Sequence, residues 1–447
     1  MQSRREFIKT SIFGAAALSM RGLYCPGLSA RSYASIAGAN DRICVAAVGV
    51  NARGGAVANT FAGRRGCEVS HVCDVDSRAL SRCRGILADK QGFSPRIEKD
   101  FRKVLLDKDV DAVMIATPDH WHVPASIMSM QAGKHVYCEK PASYAPREGE
   151  LLIEAVRKYD RVYEIGLQRR SWTNVLEGIQ AIRDGVVGNI HFGRGWYTNN
   201  RPSIGFGKEV PNPEWLDWDL WQGPSPHVPY KDNYVHYNWH WFYRWGGGEA
   251  TNNGTHMVDI LRWGMELDYP TSVNSMGGRY YYQDDQETPD TQVINLSFPG
   301  GKMISYEGRS CNPMTSDSNS VGVMFFGDKG SILITGSNGY QIFDLNNQIV
   351  RKKYSDIPID PRNKVNPSEG LDALHVDNFL NAIRGTAKVN CSAEDGHKST
   401  LLMQLGMISH RVGHNLNINP QNGHVLSDRK AMKLWSCEYA PGYEVKI

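Results

Sequence analysis

The chain has 447 residues, with 50 lysines and arginines against 47 aspartates and glutamates, and its formal net charge is +3. That length is enough for two domains, each with its own hydrophobic core. Residues 1–34 hold five of the basic residues and one of the acidic ones, so the remainder carries −1. This balance excludes the basic surplus expected of a nucleic-acid-binding protein.

Residues 1–34 have the order of parts expected of an export signal. Arg4 and Arg5 are followed by Phe7 and Lys9, the pattern of a twin-arginine signal, and the next apolar run is too short to span a bilayer. We therefore expect the twin-arginine export machinery as a partner and the periplasm as the location. A chain exported in the folded state acquires its structure in the reducing cytoplasm, so most of its nine cysteines should be free thiols.

Residues 40–168 have the pattern of a dinucleotide-binding domain. Short apolar runs alternate with amphipathic stretches, which predicts a parallel sheet with helices on both faces. The five runs are Ile43–Val50, Cys67–Cys73, Ala112–Ala116, His135–Cys138 and Val162–Ile165. In such sheets the ligand lies outside the carboxyl ends of the strands.

The first strand is followed by a glycine-containing loop, Gly49-Val50-Asn51-Ala52-Arg53-Gly54. Gly49 can form the tight turn and Gly54 the close packing of helix on strand, as in dinucleotide-binding loops. Asn51 stands where the motif has its second glycine, and asparagine tolerates unusual backbone angles better than most residues. We place Gly49, Asn51, Arg53 and Gly54 in a cofactor site.

Asp74 follows the second strand. A carboxylate there can accept hydrogen bonds from both ribose hydroxyls of NAD and repels the 2′-phosphate of NADP, and Asp76 adds to that repulsion. The alternative is that Asp74 caps the helix that starts near Ser77. Both roles are filled at once if Asp74 binds ribose and Asp76 caps the helix.

Two further groups of polar residues follow the third and fourth strands. The third strand is followed by Thr117, Pro118, Trp121 and His122, and the fourth is followed by Glu139-Lys140. Because these strand ends meet at one edge of the sheet, we expect both groups to join the glycine loop and Asp74 in one NAD site.

The chain resembles the Gfo/Idh/MocA family of sugar-handling oxidoreductases in four motifs that occur in the family's order. The motifs are "ATPDHWH", "AGKHVYCEKPAS", "EIGLQRR" and "GGGEATNNGTHMVDILRW". The resemblance implies an N-terminal Rossmann domain and a C-terminal α+β domain, residues 169–447, with a large open, mainly antiparallel sheet. It also implies a carbohydrate substrate, a dimer or tetramer formed through that sheet, and a catalytic lysine at Lys140.

The chemistry of hydride removal also favours Lys140, since a base must take the hydroxyl proton and burial lowers the pKa of an amine. In the resemblance Pro141 fixes the backbone beside it, as a cis bond in relatives, and His256 is the general acid or base. Asn252 replaces an aspartate of many members, so it can orient a hydroxyl but cannot accept a proton. Asp259 is expected either to pair with His256 or to lie near the helix start.

Other positions match the family in the resemblance. His122 corresponds to a family histidine, and its neighbour Trp121 is expected to pack on the cofactor. Gln168 and Arg169 resemble residues at the junction of cofactor and substrate, although Arg169 can also be a surface charge. His120 has no such counterpart and is interpreted as loop surface.

Residues 213–245 are rich in tryptophan, tyrosine and histidine. Aromatic faces stack on the C–H faces of sugars, so we assign substrate contacts to residues in this segment, while an irregular loop at a subunit contact is the alternative. The assigned residues are His236, Trp239, His240 and Tyr243. The spacing of His236 and His240 permits metal binding on one helix face, but no matching third ligand follows and we expect no metal.

The remaining sequence predicts the second sheet and its connections. Alternating apolar residues between Tyr269 and about Tyr354 indicate antiparallel strands. Residues 327–330 read as a hairpin turn, and residues 355–368 as a connector to the last helices.

An exported enzyme can use NAD only if the cofactor stays bound and is restored in every turnover. One reading is oxidation of a sugar or glycoside hydroxyl, at C3 as in some relatives, with transfer of the hydride to a second carbonyl compound. A second is a glycosidase that oxidises C3 transiently, eliminates the C1 substituent, adds water and reverses the oxidation. A third is a non-catalytic sugar-binding protein, which Asn252 favours and Lys140 opposes.

Overall fold

The computed structural model describes residues 42–357 and 368–447. The predicted signal, residues 1–34, and most of the predicted connector, residues 355–368, lie outside the described residues. Residues Ile43–Ile447 form one compact unit. Within the described ranges, no helix is both long and apolar enough to cross a bilayer, and the eight cysteines there are free thiols, as expected.

The N-terminal sheet has six parallel strands in the order β3-β2-β1-β4-β5-β6, which is the Rossmann order. The strands are β1 (Ile43–Val48), β2 (Cys67–Cys73), β3 (Arg96–Glu98), β4 (Ala112–Ile115), β5 (His135–Glu139) and β6 (Tyr163–Gly166). The five predicted strands are all present. The sequence did not reveal β3, because it has three polar or half-exposed residues and no apolar run.

Helices on both faces of this sheet bury apolar residues against it. They are α1 (Ala52–Ala62), α2 (Ser77–Gln91), α3 (Phe101–Val104), α4 (Asp119–Gln131) and α5 (Pro146–Tyr159). Each of α1 to α4 begins just after a strand, so their first turns lie at the edge of the sheet predicted to bind the ligand. This arrangement confirms the predicted fold class for the N-terminal part.

The second sheet has nine strands in the order β14-β13-β12-β11-β7-β10-β9-β8-β15. The strands are β7 (Ile190–Thr198), β8 (Ser272–Gly278), β9 (Thr291–Phe298), β10 (Lys302–Arg309), β11 (Val321–Gly327), β12 (Ser331–Thr335), β13 (Tyr340–Phe343), β14 (Ile349–Lys353) and β15 (Leu416–Asn417). All neighbours are antiparallel except β7 and β10. The sheet is therefore mainly antiparallel, as predicted, and residues 327–330 form the turn between β11 and β12.

Alternation along the strands gives this sheet one buried face, covered by helices. The remaining helices are α6 (Thr173–Arg183), α7 (Trp218–Gln222), α8 (Thr255–Gly264), α9 (Glu369–Ile383), α10 (Ala393–Val412) and α11 (Arg429–Met432). Helix α9 returns to the N-terminal sheet, where Val376, Phe379 and Leu380 join the core around β1. The C-terminal part of the chain thus contributes to both cores.

Asp259 lies in α8 and is buried against neighbouring elements. Its carboxylate accepts hydrogen bonds from Arg170 Nε at 2.9 Å and Nη2 at 2.8 Å, and from Ser399 Oγ at 2.7 Å. The side chains of Arg170 and Asp259 are 3% and 1% exposed. This placement corrects the expectation of a catalytic role: the carboxylate joins α8 to the turn after β6 and to α10, and it does not pair with His256.

Replacing Asp259 by Asn should lower the free energy of unfolding by about 3–5 kcal/mol, because the buried guanidinium of Arg170 would lose its counter-charge. Denaturant-induced unfolding measures the change. The matched control is Asp268→Asn. It breaks an ion pair between Asp268 and Lys398, in which the Asp268 side chain is 68% exposed. The control should cost less than about 1 kcal/mol. Equal losses in both variants would contradict the structural role of Asp259.

Candidate active site

A cavity of about 760 Å³ lies at the carboxyl ends of the N-terminal strands, facing the second domain. Seventeen of the residues singled out from the sequence line it: Gly49, Asn51, Arg53, Gly54, Asp74, Thr117, Pro118, Trp121, His122, Glu139, Lys140, Gln168, His236, Trp239, His240, Asn252 and His256. Three others, Arg169, Tyr243 and Asp259, are not among its lining residues. The strand-end loops and two segments of the second domain therefore form one site.

The glycine loop has the two glycines where the backbone requires them. Gly49 has a φ of +77°, and a Cβ there would lie 2.7 Å from the carbonyl carbon of Ala116. A Cβ on Gly54 would lie 1.7 Å from the Gly49 oxygen. Asn51 has a φ of −69°, an ordinary extended conformation, and its Oδ1 accepts a hydrogen bond from Arg82 at 2.6 Å. Asn51 thus needs no special backbone tolerance, contrary to the expectation from sequence.

Asp74 and Asp76 have different partners, and only Asp76 caps the helix. Asp76 caps α2 by accepting hydrogen bonds from the backbone N–H groups of Arg78 and Ala79. Although burial opposes it, hydrogen bonds from Arg78 and His236 lower the pKa of Asp76 to about 2. Asp74 accepts the N–H of Val50 at 2.7 Å on one oxygen and the N–H of Asp76 at 2.9 Å on the other.

Each oxygen of a carboxylate can accept about two hydrogen bonds, so Asp74 keeps acceptor capacity for a pair of ribose hydroxyls at the cavity wall. Thr117 adds a buried hydroxyl without a hydrogen-bond partner among the described residues. The close approach of Gly54 to the Gly49 oxygen packs the start of α1 on the end of β1, as the last glycine of a dinucleotide-binding loop does. These residues fit a dinucleotide, and Asp74 favours NAD.

Arg53 lines the cavity but is held by two buried carboxylates. Its Nε donates to Glu139 Oε1 at 2.9 Å, and its Nη atoms donate to both oxygens of Asp372 at 2.6 and 3.0 Å. This corrects the expectation that the guanidinium mainly serves the cofactor. A pyrophosphate would instead rely on the backbone N–H groups at the start of α1.

Lys140 reaches into the cavity from the end of β5. Its Nζ donates to Oδ1 of Asn252 at 2.7 Å, and the Lys140–Pro141 peptide bond is cis. Burial lowers the pKa of Lys140 below its usual value, although Glu139 and Asp119 act against this. The amine is therefore closer to its neutral, basic form than a surface lysine would be.

Asn252 belongs to a π-helical turn, Ala250–Gly254, that precedes α8. Its Nδ2 donates to the hydroxyl of Tyr237 at 3.3 Å, while the next residue, Asn253, donates to Glu249. Glu249 in turn pairs with Arg201 at 2.6 Å. Single π-helical turns often occur at functional sites, and this one directs two adjacent amides into a continuous polar network.

His256 is 3% exposed, and its Nδ1 has no hydrogen-bond partner among the described residues. Burial, with Lys140 and Arg169 nearby, lowers the pKa of His256 well below its usual value, so the ring is neutral. Arg169 is buried and donates to the carbonyl of Thr335 at 2.7 Å. It is neither a surface charge nor a wall of the cavity, which corrects its assignment to the substrate.

The loop after β4 is held by its two histidines. Both ring nitrogens of His122 contact backbone carbonyls, those of Pro141 at 2.8 Å and Thr117 at 2.9 Å. His120 is 3% exposed and its Nε2 lies 3.1 Å from the carbonyl of Trp221. The interpretation of His120 as loop surface is therefore wrong, and His122 connects the loops that present Thr117 and Lys140.

The aromatic segment contributes three of its four assigned residues to the cavity. His240 stacks on Trp239 with ring centroids 3.6 Å apart. His236 lies 2.8 Å from Asp76, so it belongs beside the loop after β2 rather than beside Lys140. Tyr243 faces Arg411 and lines a separate cavity, which corrects its assignment.

Sequence reasoning left several lining residues out of the assigned site, namely Asp119, Tyr197, Asn199, Arg201 and Tyr237. Tyr237 had a usable signal, since it lies in the aromatic segment three residues before His240. No sequence signal pointed to Arg201, because the turn after β7 carries no motif and the distance from Arg201 to Glu249 is set by the fold.

Burial raises the pKa of Asp119 to about 7.

Comparisons with known proteins agree with this architecture. A family model for the "NAD-binding Rossmann fold" of the Gfo/Idh/MocA oxidoreductase family matches residues 43–167, and that for its "C-terminal alpha/beta domain" matches residues 217–418. A levoglucosan dehydrogenase structure in complex with NADH and levoglucosan aligns with a TM-score of 0.65 and 19% identity, over 84% of this chain and 99% of that one. An aldose-aldose oxidoreductase from Caulobacter crescentus aligns at 0.63 and 18% identity, over 84% and 100%.

Among curated proteins, a glycosyl hydrolase family 109 protein of Saccharopolyspora erythraea is 29% identical over 52% of this chain and 55% of its own length. An inositol 2-dehydrogenase of Rubrobacter xylanophilus is 24% identical over 84% and 93%. The chain spans between 46% and 65% of the length of the first matched family 109 relatives.

Both family models match in the expected order and together cover most of the chain, and the sheet order and cavity agree with them. The chain belongs to the Gfo/Idh/MocA oxidoreductase family, with an N-terminal NAD-binding Rossmann domain.

Proposed function

We propose that this protein is an NAD-dependent oxidoreductase that acts on a hydroxyl of a sugar or glycoside, at C3. The observation that carries the proposal is the half-buried Lys140 amine held 2.7 Å from Asn252 in the NAD-binding cavity. A neutral His256 lines the same cavity, and its Nδ1 has no hydrogen-bond partner among the described residues. These are the groups required to take a proton from a carbinol and hold its oxygen.

In this proposal Lys140 accepts the proton of the substrate hydroxyl. Bound NAD would supply the acceptor for the hydride on the carbon that carries this hydroxyl. Asn252 orients the amine, because its carbonyl oxygen accepts a hydrogen bond from Nζ. His256 hydrogen-bonds the reacting oxygen or a neighbouring hydroxyl through Nδ1. Trp239 and His240 stack against an apolar face of the sugar.

We further propose that the chain is exported folded to the periplasm by the twin-arginine machinery with NAD already bound. NAD is then restored in each turnover by reduction of a second carbonyl compound. The name of the Caulobacter aldose-aldose oxidoreductase supports this scheme, because it describes a redox exchange between two sugars.

Glycoside cleavage through transient oxidation is the second candidate, favoured by the family 109 relatives and by one further hydroxyl in the site. A C3 ketone makes the C2 proton acidic; a base removes it, and the C1 substituent leaves with its bonding electrons and is protonated. Water then adds across the new double bond, and the C3 ketone is reduced again. The hydroxyl is that of Tyr237, which lines the cavity and contacts Asn252, whereas Tyr230 and Tyr234 are not among the lining residues.

The first experiment is the near-ultraviolet absorbance of reduced nicotinamide in the purified protein, recorded with free sugars or glycosides and without added NAD. A band that rises with sugar and decays on adding a keto sugar supports the recycling oxidoreductase. A rise that reverses spontaneously while aglycone is released supports the glycosidase. Absence of any band with every compound would favour a non-catalytic sugar-binding protein.

We also propose a homodimer or homotetramer formed through the open face of the second sheet. Met276, Val293 and Met303 lie on this face and are 79%, 38% and 38% exposed. Met276 and Val293 are directly opposite each other on β8 and β9, so their apolar areas are contiguous. Covering this area with a second copy would remove it from water.

Replacing Lys140 by Met should lower the rate of sugar-dependent nicotinamide reduction by about 100-fold or more, because the base is lost while the side chain keeps its length. Single-turnover absorbance measures the rate. Lys158→Met, at an exposed position of the same domain, is the control and should leave the rate unchanged. An unchanged rate in the Lys140 variant would remove this lysine from the mechanism.

The rate should rise with pH through the pKa of Lys140, because only the neutral amine accepts a proton. Burial lowers that pKa, so the rise should centre below the pH typical of an exposed lysine. Asn252→Asp should move the rise upward by about one pH unit or more, since a carboxylate stabilises the ammonium form. The charge-matched control, Asn346→Asp on the exposed β13–β14 turn, should leave the profile in place; identical profiles for all three proteins would refute the assignment.

A further inference from the structure

Residues 213–236 of the second domain cross the mouth of the cavity at the end marked by Asp74, and we refer to them as the strap. We propose that the strap encloses the adenosine end of NAD and that the cofactor exchanges only when the strap detaches from the Rossmann domain. This rests on the proposed function, because it explains how a cofactor could stay resident through many turnovers.

The strap pairs with the loop after β2 through its backbone. The N–H of Ser77 donates to the carbonyl of Trp215 at 3.0 Å, and the N–H of Asp217 donates to the carbonyl of Val75 at 3.0 Å. These two bonds flank an antiparallel bridge between Asp76 and Leu216. A short piece of the second domain is therefore paired with the Rossmann domain immediately beside Asp74.

Side chains reinforce the same contact. The guanidinium of Arg78 lies 3.4 Å from the ring centre of Trp215 and also pairs with Asp76 at 3.0 Å. His236, at the other end of the strap, contacts the same oxygen of Asp76, Oδ2, at 2.8 Å. Asp76 thus holds both His236 and the Arg78 side chain that stacks on Trp215, while it also caps α2.

The strap meets the Rossmann domain a second time across the cavity, at the loop after β4. Trp121 Nε1 donates to the carbonyl of Trp221 at 3.1 Å, and His120 Nε2 contacts the same oxygen. The backbone at Gly223 passes so close to Trp121 that a Cβ there would lie 1.9 Å from the indole ring. The strap is consequently held on both sides of the opening.

The strap is stiff between these contacts. Trp218 stacks on Trp221 with centroids 4.8 Å apart, and both meet Trp245 edge-on at 5.6 and 5.1 Å. Tyr230 and Phe242 complete this buried aromatic cluster. Because the cluster packs as one body, we expect the strap to detach as a unit.

Three strap residues, Leu220, Trp221 and His236, line the cavity, and His236 contacts Asp76 in the loop after β2. In a Rossmann domain the carboxylate after β2 binds the adenosine ribose, so this contact lies at the adenosine end. The nicotinamide end is marked by Lys140, whose hydrogen bond to Asn252 is made outside the strap. Opening of the strap would therefore free the adenosine end of the cofactor.

The test is the rate at which bound NAD exchanges with isotopically labelled NAD in the full-length protein without sugar, followed by mass spectrometry of the bound nucleotide. Trp215→Ala and Arg78→Ala each remove the stacked pair without altering a residue that lines the cavity. Both should exchange NAD about tenfold faster or more than the unmodified protein, as expected when contacts that restrain dissociation are lost.

Arg84→Ala is the matched control, because it removes an exposed arginine from the same helix; its exchange rate should equal that of the unmodified protein. If Trp215→Ala does not fold, Arg78→Ala decides the question, since that side chain is 53% exposed. Exchange at the unmodified rate in a folded Arg78 variant would overturn the strap. If the Trp215 and Arg78 variants exchange NAD faster than the unmodified protein, but the unmodified protein oxidises no sugar, the proposed function is refuted and the strap proposal stands.

Discussion

The guanidinium of Arg53 joins the glycine loop and the end of β5, which both line the cavity, to α9. It lies in the first turn of α1, beside the glycine loop, and pairs with Glu139 at the end of β5 and with Asp372 on α9. Glu139 directly precedes Lys140, so the same ion pair that fixes the loop also fixes the strand end that carries the amine. Buried charges of this kind are costly unless every partner is present, which makes the arrangement specific as well as stable.

The chemistry of the site follows from burial. Low exposure lowers the pKa of Lys140 and that of His256, and it raises the pKa of Asp119. The lowered pKa values favour the proton-accepting forms of Lys140 and His256, and such groups near a carboxyl group of raised pKa are suited to moving protons between oxygen and nitrogen atoms. Asn252 fits the same pattern, because it gives Lys140 a hydrogen-bond acceptor without a charge that would hold the amine protonated.

The strap and the redox scheme address the same requirement. A cofactor that must remain bound after export needs slow exchange, and a cofactor that never exchanges must be restored by the substrate chemistry. Contacts on both sides of the cavity, at Asp76 and at Trp121, offer a physical basis for the first requirement. A carbonyl acceptor or a reversed oxidation offers a chemical basis for the second.

The local sequence was enough for the N-terminal fold and the positions of the strand-end groups. Apolar runs predicted five strands, and the capping of α2 by Asp76 was foreseeable because its partners lie two and three residues later in sequence. Only the tertiary structure decided the partners of charged residues. Arg53, Arg169 and Asp259 were assigned to the site from motif position, yet their partners are 319, 166 and 89 residues away in sequence. A residue's type and neighbours determine which chemistry it can perform, but burial and a distant counter-charge determine whether it is available for that chemistry.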